Sequence, residues 1–376
     1  MGNCIICKRK LNNPACVFDS MPAAAQNMPD KERLESDKPV TLELFRCKGC
    51  GLVQFDVEPV SYYRDVIRAT RVSDKFRKLR MEQYAHFIDI CKLEGKKIIE
   101  VGCGAGEFLE ILQEFPVEAY GIENNTDLVQ KAYELGLDVE QGFVENEDSI
   151  LSNAPFDAFI SFNFLEHQPN PVGMLQGIYE NLTEDGVGLV TVPSFEYFQE
   201  HGSYYEFIRD HISYYTEDTL KRLLDICGFE VLECKRFNRD TIEVIVKKRK
   251  EESLVNYYEQ QVLMNRKMAE TLKNLSSEER IFVWGASHQG FTLLSTLDSL
   301  QKVDKIIDSA DFKRNKYSPV SHIEIVSPDI LKEETPECII IMAPGYSDEI
   351  YHRILQLNPN VKKIFTVIGE EITELK

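Results

Sequence analysis

Residues 96–108 read KKIIEVGCGAGEF. A short apolar strand runs straight into a glycine-rich turn, and the spacing predicts a helix from Phe108 to Glu114. The turn is Gly102-x-Gly104-x-Gly106, and Glu107 stands where a dinucleotide fingerprint carries its third glycine. The pattern therefore departs from the form that binds a pyrophosphate. With the acidic Glu100 before it, the turn suits a ligand that brings no phosphate to the backbone.

The flanking sequence extends that reading. A helical stretch, Ser73 to Cys91, precedes the strand, and a second strand, AYGIE, ends about twenty residues on in Glu123, where a carboxylate can accept both hydroxyls of a ribose. A third short strand leads to Gly142-Phe143-Val144-Glu145, placed to flank an adenine with one apolar and one polar side chain. The fourth, FDAFISF, delivers Asn163-Phe164-Leu165-Glu166-His167 to the carboxyl edge of a sheet, where open α/β sheets bind ligands. GVGLVTVP, a helix from Thr216 to Cys227, and the strands FEVLECKRF and TIEVIVKKR follow. Alternating strands and helices predict a parallel sheet with a late antiparallel addition. A nucleoside with a zwitterionic, phosphate-free end describes S-adenosylmethionine, and Glu100, Gly102, Gly104, Gly106, Glu123, Phe143 and Asn163 are its expected contacts.

The 376 residues suffice for two or three domains. Forty-three Lys and Arg against 62 Asp and Glu give a formal net charge of −19, which opposes a nucleic-acid coat. No apolar run is long enough to span a bilayer, and MGNCIICKRK has no apolar signal core, so a cytoplasmic protein without membrane partners is expected. Residues 1–75 hold 12 Lys and Arg against 10 Asp and Glu, so the acidity lies further along.

Ten cysteines without a secretion signal do not read as a disulfide framework. Cys4/Cys7 and Cys47/Cys50 form two Cys-x-x-Cys hooks, the second in CKGCG, where glycines allow a tight knuckle. Four thiolates are the soft tetrahedral set that a structural zinc prefers, with no open position for catalysis. The long gap between the hooks must fold out and return, with Cys16 inside it as a spare. Further on, SFEYFQEHGSYYEFIRDHISYYT, from Ser194 to Thr216, is too polar for a core and too aromatic for a linker. A charged break, KKRKEE at 247–252, marks a domain boundary, followed by a helical stretch to about Leu275. The strands IFVW, DKIIDS, CIIIMAP and KKIFTVIG then suggest a small parallel sheet.

With EVGCGAG, Glu123 and FLEH in place, the chain resembles the class I S-adenosylmethionine methyltransferases. In CIIC…CKGCGLVQ, EHQPNP, DHISYYT and WGASHQG it resembles, more specifically, the zinc-containing nucleotide-sugar C-methyltransferases of deoxysugar biosynthesis. The resemblance covers nearly the whole chain. It implies an α/β fold with a zinc-binding domain at 1–75, a class I methyltransferase Rossmann-like core at 76–248 and a C-terminal Rossmann-like domain at 249–376. It implies a nucleotide-sugar substrate between the last two domains and methyl transfer to carbon beside a ketone, which needs a base and stabilised enolate. His211 is the expected base, Asp210 its neighbour in orientation or charge, and His167 a partner for sugar oxygens. Tyr205 and Tyr214 are expected at the sugar, with packing as the alternative for them and for Tyr204 and Tyr215. Ser287, His288 and Gln289 are expected at the diphosphate beside a helix N-terminus, with Lys313, Lys316 and His322 on a basic loop. The chain departs from the family pattern at Ile208, where a Tyr is expected, at Asp210, where a Glu is expected, and at VIRATRVS, which holds no match for a further Tyr. O-methylation is the alternative within the class, a non-catalytic binding protein the alternative outside it. Neither the sugar nor the oligomeric state is specified.

Overall fold

The computed structural model describes residues 2–65, 73–250, 254–273 and 279–376. The chain divides into two compact units, residues 1–251 and 252–376. The break lies three residues beyond the expected 248/249, and there is none at 75/76, because the cysteine module and the core pack as one body.

Three strands open the first unit, β1 (Cys16–Met21), β2 (Val40–Arg46) and β3 (Val53–Phe55). Then come α1 (Asp74–Cys91), β4 (Lys97–Val101), α2 (Glu107–Leu112), β5 (Glu118–Glu123), α3 (Thr126–Glu134), β6 (Asp138–Gln141) and β7 (Phe156–Phe162). The unit closes with α4 (Pro171–Glu180), β8 (Leu182–Pro193), α5 (Phe195–His201), β9 (Ser213–Tyr214), α6 (Glu217–Ile226), β10 (Phe229–Phe237) and β11 (Thr241–Lys248).

The main sheet runs β10-β11-β8-β7-β4-β5-β6. β6, β5, β4, β7 and β8 are parallel, and β11 alone runs against β8. Its strands are apolar on both faces because helices cover both. Ile99 and Val101 of β4 enter one core with Phe159, Val190 and Val192, while Ile98 enters the other with Ala158, Ile160 and Leu189. That alternation is the two-residue period of a strand.

The smaller sheet, β1-β2-β3-β9, was not predicted: β1 and β2 lie in the excursion between the cysteine hooks and β3 just after the second hook. Its last member comes from the aromatic insertion, Val53 pairing with Tyr214 and Gln54 with Ser213. An aromatic cluster of Phe55, Phe195, Phe198 and Tyr214 lies beneath the join.

The second unit contains α7 (Val255–Leu272), β12 (Ile281–Trp284), α8 (His288–Thr296), β13 (Val303–Ile307), β14 (Lys316–Tyr317) and β15 (Glu324–Val326). β16 (Cys338–Ile341), α9 (Ser347–Leu357), β17 (Lys363–Ile368) and β18 (Glu371–Glu374) complete it. The sheet order is β14-β15-β13-β12-β16-β17-β18, five parallel strands with an antiparallel strand at each edge. This is a doubly wound arrangement whose strand order reverses at β12.

Candidate functional site

The glycine turn lies where β4 hands over to α2. Gly102 has φ of 77° and a Cβ there would lie 3.2 Å from the Phe164 ring, so only glycine fits. Gly106, with φ of 89°, abuts Leu137 in the turn between α3 and β6, so a side chain there would have no room. Gly102, Gly104, Asn163, Glu166, His167 and His211 all line one cavity of about 380 Å³ at the carboxyl edge of the sheet.

Glu123 closes β5, and its two oxygens accept Gly104 N and Asn125 N, each at 2.9 Å. Burial holds its carboxyl above the ordinary range. Each oxygen retains a second lone pair for a hydroxyl. Beside it, Gly102, Glu123, Phe143 and Arg64 line a narrow slot. The Arg64 guanidinium lies 5.1 Å from the Phe143 ring centroid and pairs with Glu145 at 2.7 Å. Glu100 is buried near the end of β4 and lines neither hollow.

The two imidazoles meet at this edge, His167 on the turn Leu165–His167 after β7 and His211 on the insertion. Their ring centroids are 4.7 Å apart. His167 Nδ1 lies 2.8 Å from the carbonyl of Asp210, which assigns the proton to Nδ1 and leaves Nε2 as an acceptor. Burial depresses both histidines, His211 well below its ordinary value, helped by His167 beside it.

The structure moves several expected residues away from this role. The Asp210 carboxylate is not on the His211 ring, because Tyr62 donates its hydroxyl to one oxygen at 2.6 Å and Ala25 N donates to the other at 2.8 Å. Tyr62 and the segment around Ala25 escaped the sequence reading, since they approach from the cysteine module, 148 and 185 residues away. Tyr205 is 68% exposed and absent from the cavity lining, as is Tyr204. Tyr214 is buried, and its hydroxyl bonds to both backbone groups of Ile208, so it packs rather than faces a ligand. Tyr215 is likewise in the core. Ile208 itself lines the cavity. The VIRATRVS stretch lies, apart from Ser73, outside the described residues.

Cys4, Cys7, Cys47 and Cys50 converge, all four sulfurs lying within 4.8 Å of one another. Cys4 to Cys50 is 3.5 Å and Cys7 to Cys47 is 3.4 Å, far longer than a disulfide and near the edge of a tetrahedron around one ion. The four-thiol donor set is thus compatible with zinc. Arg222 of α6 donates to the Cys50 carbonyl at 2.8 Å, tying the knuckle to the core.

In the second unit, a cavity of about 940 Å³ opens at the carboxyl ends of β12, β13, β15 and β16. Ser287 and Gln289 line it, but the Ser287 hydroxyl is occupied in capping α8 through Gly290 N. His288 starts α8 and is exposed, His322 is exposed on a turn, and Lys313 is paired with Asp308 at 2.9 Å; none of the three lines the cavity. Lys316, on the edge strand β14, is exposed as well. The basic residues that do line it are Arg314, His352 and Arg353, with Tyr346 at its mouth.

Residues 73–234 match the model of a methyltransferase domain, and residues 241–367 that of a C-methyltransferase C-terminal domain. A ubiquinone biosynthesis O-methyltransferase from Actinobacillus pleuropneumoniae serotype 7 is 32% identical over 105 residues, 25% of this chain and 44% of that protein. Its counterpart from Azoarcus sp. is 37% identical over 90 residues, 22% of this chain and 37% of that protein. The chain thus spans less than half the length of these curated relatives. A solved S-adenosylmethionine-dependent methyltransferase from Clostridium acetobutylicum aligns over 46% of this chain and 92% of its own, at 15% identity and a TM-score of 0.39. Residues 73–234 thus carry a methyltransferase domain, on the Rossmann-like sheet described above, and residues 241–367 a C-methyltransferase C-terminal domain.

Proposed function

We propose that the protein is an S-adenosylmethionine-dependent methyltransferase that methylates a carbon of a nucleotide-activated keto-sugar. The observation that carries this reading is the meeting, in one cavity, of the glycine turn Gly102–Gly104 with the imidazoles of His167 and His211, whose ring centroids are 4.7 Å apart. The residues present fit the cofactor: Glu123 suits the ribose, Phe143 an adenine, and the Gly102–Gly104 turn leaves room for close approach. When bound, that group supplies an electrophilic methyl on a sulfonium.

The chain's own part is to hold and move a proton. His211, uncharged at neutral pH because it is buried, serves as the base for a C–H proton beside a carbonyl. His167, with Nδ1–H committed to the Asp210 carbonyl, presents Nε2 to a substrate hydroxyl. Positioning of the two reactants supplies much of the remaining rate. The four cysteines would hold a structural zinc, with no position left for chemistry.

The C-methyltransferase match over 241–367 favours transfer to carbon. Arg314 and Arg353 in the second unit's cavity offer guanidinium groups that suit a diphosphate-bearing substrate, alongside the acids Asp308, Asp329 and Glu349 that line it as well. The names of the curated relatives raise O-methylation as the second reading. Incubation with methyl-labelled cofactor and a panel of nucleotide sugars, followed by NMR of the product, decides between them. A label on carbon is expected; a label on oxygen supports the second reading, and no transfer to any sugar nucleotide refutes the substrate class.

A further inference from the structure

Glu166 is an acid beside the histidine pair that the proposed chemistry has not used. It sits on the turn after β7, 2% exposed, and its backbone carbonyl accepts Ile212 N at 2.8 Å, which ties the turn to the segment bearing His211. Its Oε2 is buried without a hydrogen-bond partner among the described residues, and so is Nδ1 of His211. Glu166, His167 and His211 each bring one ligand atom within 4.8 Å of the others. The neighbouring acid, Asp210, is spent: both of its carboxylate oxygens and its carbonyl are already bonded. Two complementary buried groups left unmatched, an acceptor and a ring nitrogen, are costly apart and relieve each other when paired. Catalytic hydrogen bonds are often long in a free enzyme and tighten in the complex.

We propose that Glu166 is the positioning residue for His211: its Oε2 accepts Nδ1–H, which turns the Nε2 lone pair toward the substrate. Resting on the methyl-transfer reading, the pair then works as a carboxylate–imidazole dyad. The substrate C–H bond breaks, its electron pair stays on carbon, and the proton forms an Nε2–H bond. The positive charge so created on His211 is balanced by the Glu166 carboxylate, and the proton returns to solvent after turnover. Burial raises the Glu166 carboxyl to about 8, so the ionised dyad accumulates as pH rises through that value. The other titratable groups facing the dyad are His167, Asp210, Tyr214 and Tyr215, with Glu107 across the cavity.

The test needs no sugar substrate, so its failure is separable from that of the methyl-transfer reading. The full chain, labelled with 15N-histidine, is compared by imidazole NMR between pH 6 and 9.5 for the parent, Glu166→Gln and Glu166→Leu, with His211→Asn assigning the ring. Above pH 8 the parent is expected to hold His211 in the Nδ1–H tautomer. The amide of Glu166→Gln keeps that tautomer but lowers the protonation constant of His211 about tenfold or more. Glu166→Leu moves the ring to the Nε2–H tautomer. An Nε2–H tautomer in the parent, or a His211 signal indifferent to both substitutions, overturns the proposal. So does stoichiometric binding of added Co²⁺ that His211→Asn and Glu166→Gln both abolish, since a cation would then be what the three residues hold. If Glu166→Leu fails to fold, the Glu166→Gln titration alone decides.

Discussion

The side chains that carry the proposed chemistry are those whose burial makes them costly to charge. His167 and His211 both lie below the ordinary imidazole range because desolvation penalises the cation. The sign for stability follows. A histidine that stays neutral in the folded chain but protonates in the unfolded one contributes nothing above its unfolded value near 6.5 and withdraws stability as pH falls below it. Thermal unfolding between pH 5 and 7 is expected to show an acid loss that shrinks in His211→Asn; an identical slope in the variant contradicts the neutral assignment. His211→Asn is also expected to lower kcat by roughly 10²–10⁴, the range for removal of a general base, while S-adenosylhomocysteine still binds by calorimetry. Equal turnover in the variant would remove His211 from the reaction. The acid–His pair DHIS was legible as a motif, but its chemistry was not. Asp210 faces Tyr62 and Ala25, partners that no local spacing could reveal, while the acid with an unpartnered oxygen among the described residues is Glu166, on a different strand end.

Elements were most legible where both faces are buried. KIIEV and FDAFISF read directly as central strands, since neither has a solvent side to blur the pattern. Phe159 of β7 lies against Gly188 of β8 with no accessible surface, and Phe159→Ala is expected to cost about 3–5 kcal/mol in denaturant unfolding. A loss below about 1 kcal/mol would mean that the sheet is not packed as described. The tyrosines of the insertion misled because aromatic density reads alike for a ligand wall and a packing cluster. β9 settles their placement by running Tyr214 into the cluster with Phe55, Phe195 and Phe198. The same pairing makes the cysteine knuckle a support for the histidine segment. Cys47→Ser with Cys50→Ser is expected to lose bound metal and to raise amide exchange in β3 and β9, while β4 and β7 stay protected. Unchanged exchange in β9 would show that the knuckle does not brace it.

The whole chain is two units, each with its own cores. The charged break at 247–252 announced this division, because such a run has no apolar face to bury. The absence of a break after residue 75 could not be read, since it depends on Leu52, Phe45 and the cysteines sharing a core with Leu220 and Leu223. In the second unit the glycine turn WGASHQG was legible as strand to helix. Which side chains reach its cavity was not, because His288 begins α8 facing outward while Arg314 and Arg353 come from later segments. Residues 1–251 expressed alone are therefore expected to keep S-adenosylhomocysteine binding, as all the proposed contacts lie within them. Loss of that binding in a folded fragment would assign part of the cofactor site to the second unit.

Calorimetric titration of S-adenosylmethionine into the full chain, beside Gly102→Val and Glu123→Ala, reaches the proposal at its base. Saturable binding to the parent, abolished by Gly102→Val and weakened at least tenfold by Glu123→Ala without loss of secondary structure, is the predicted result. No binding to the parent, or equal binding to all three, would contradict it.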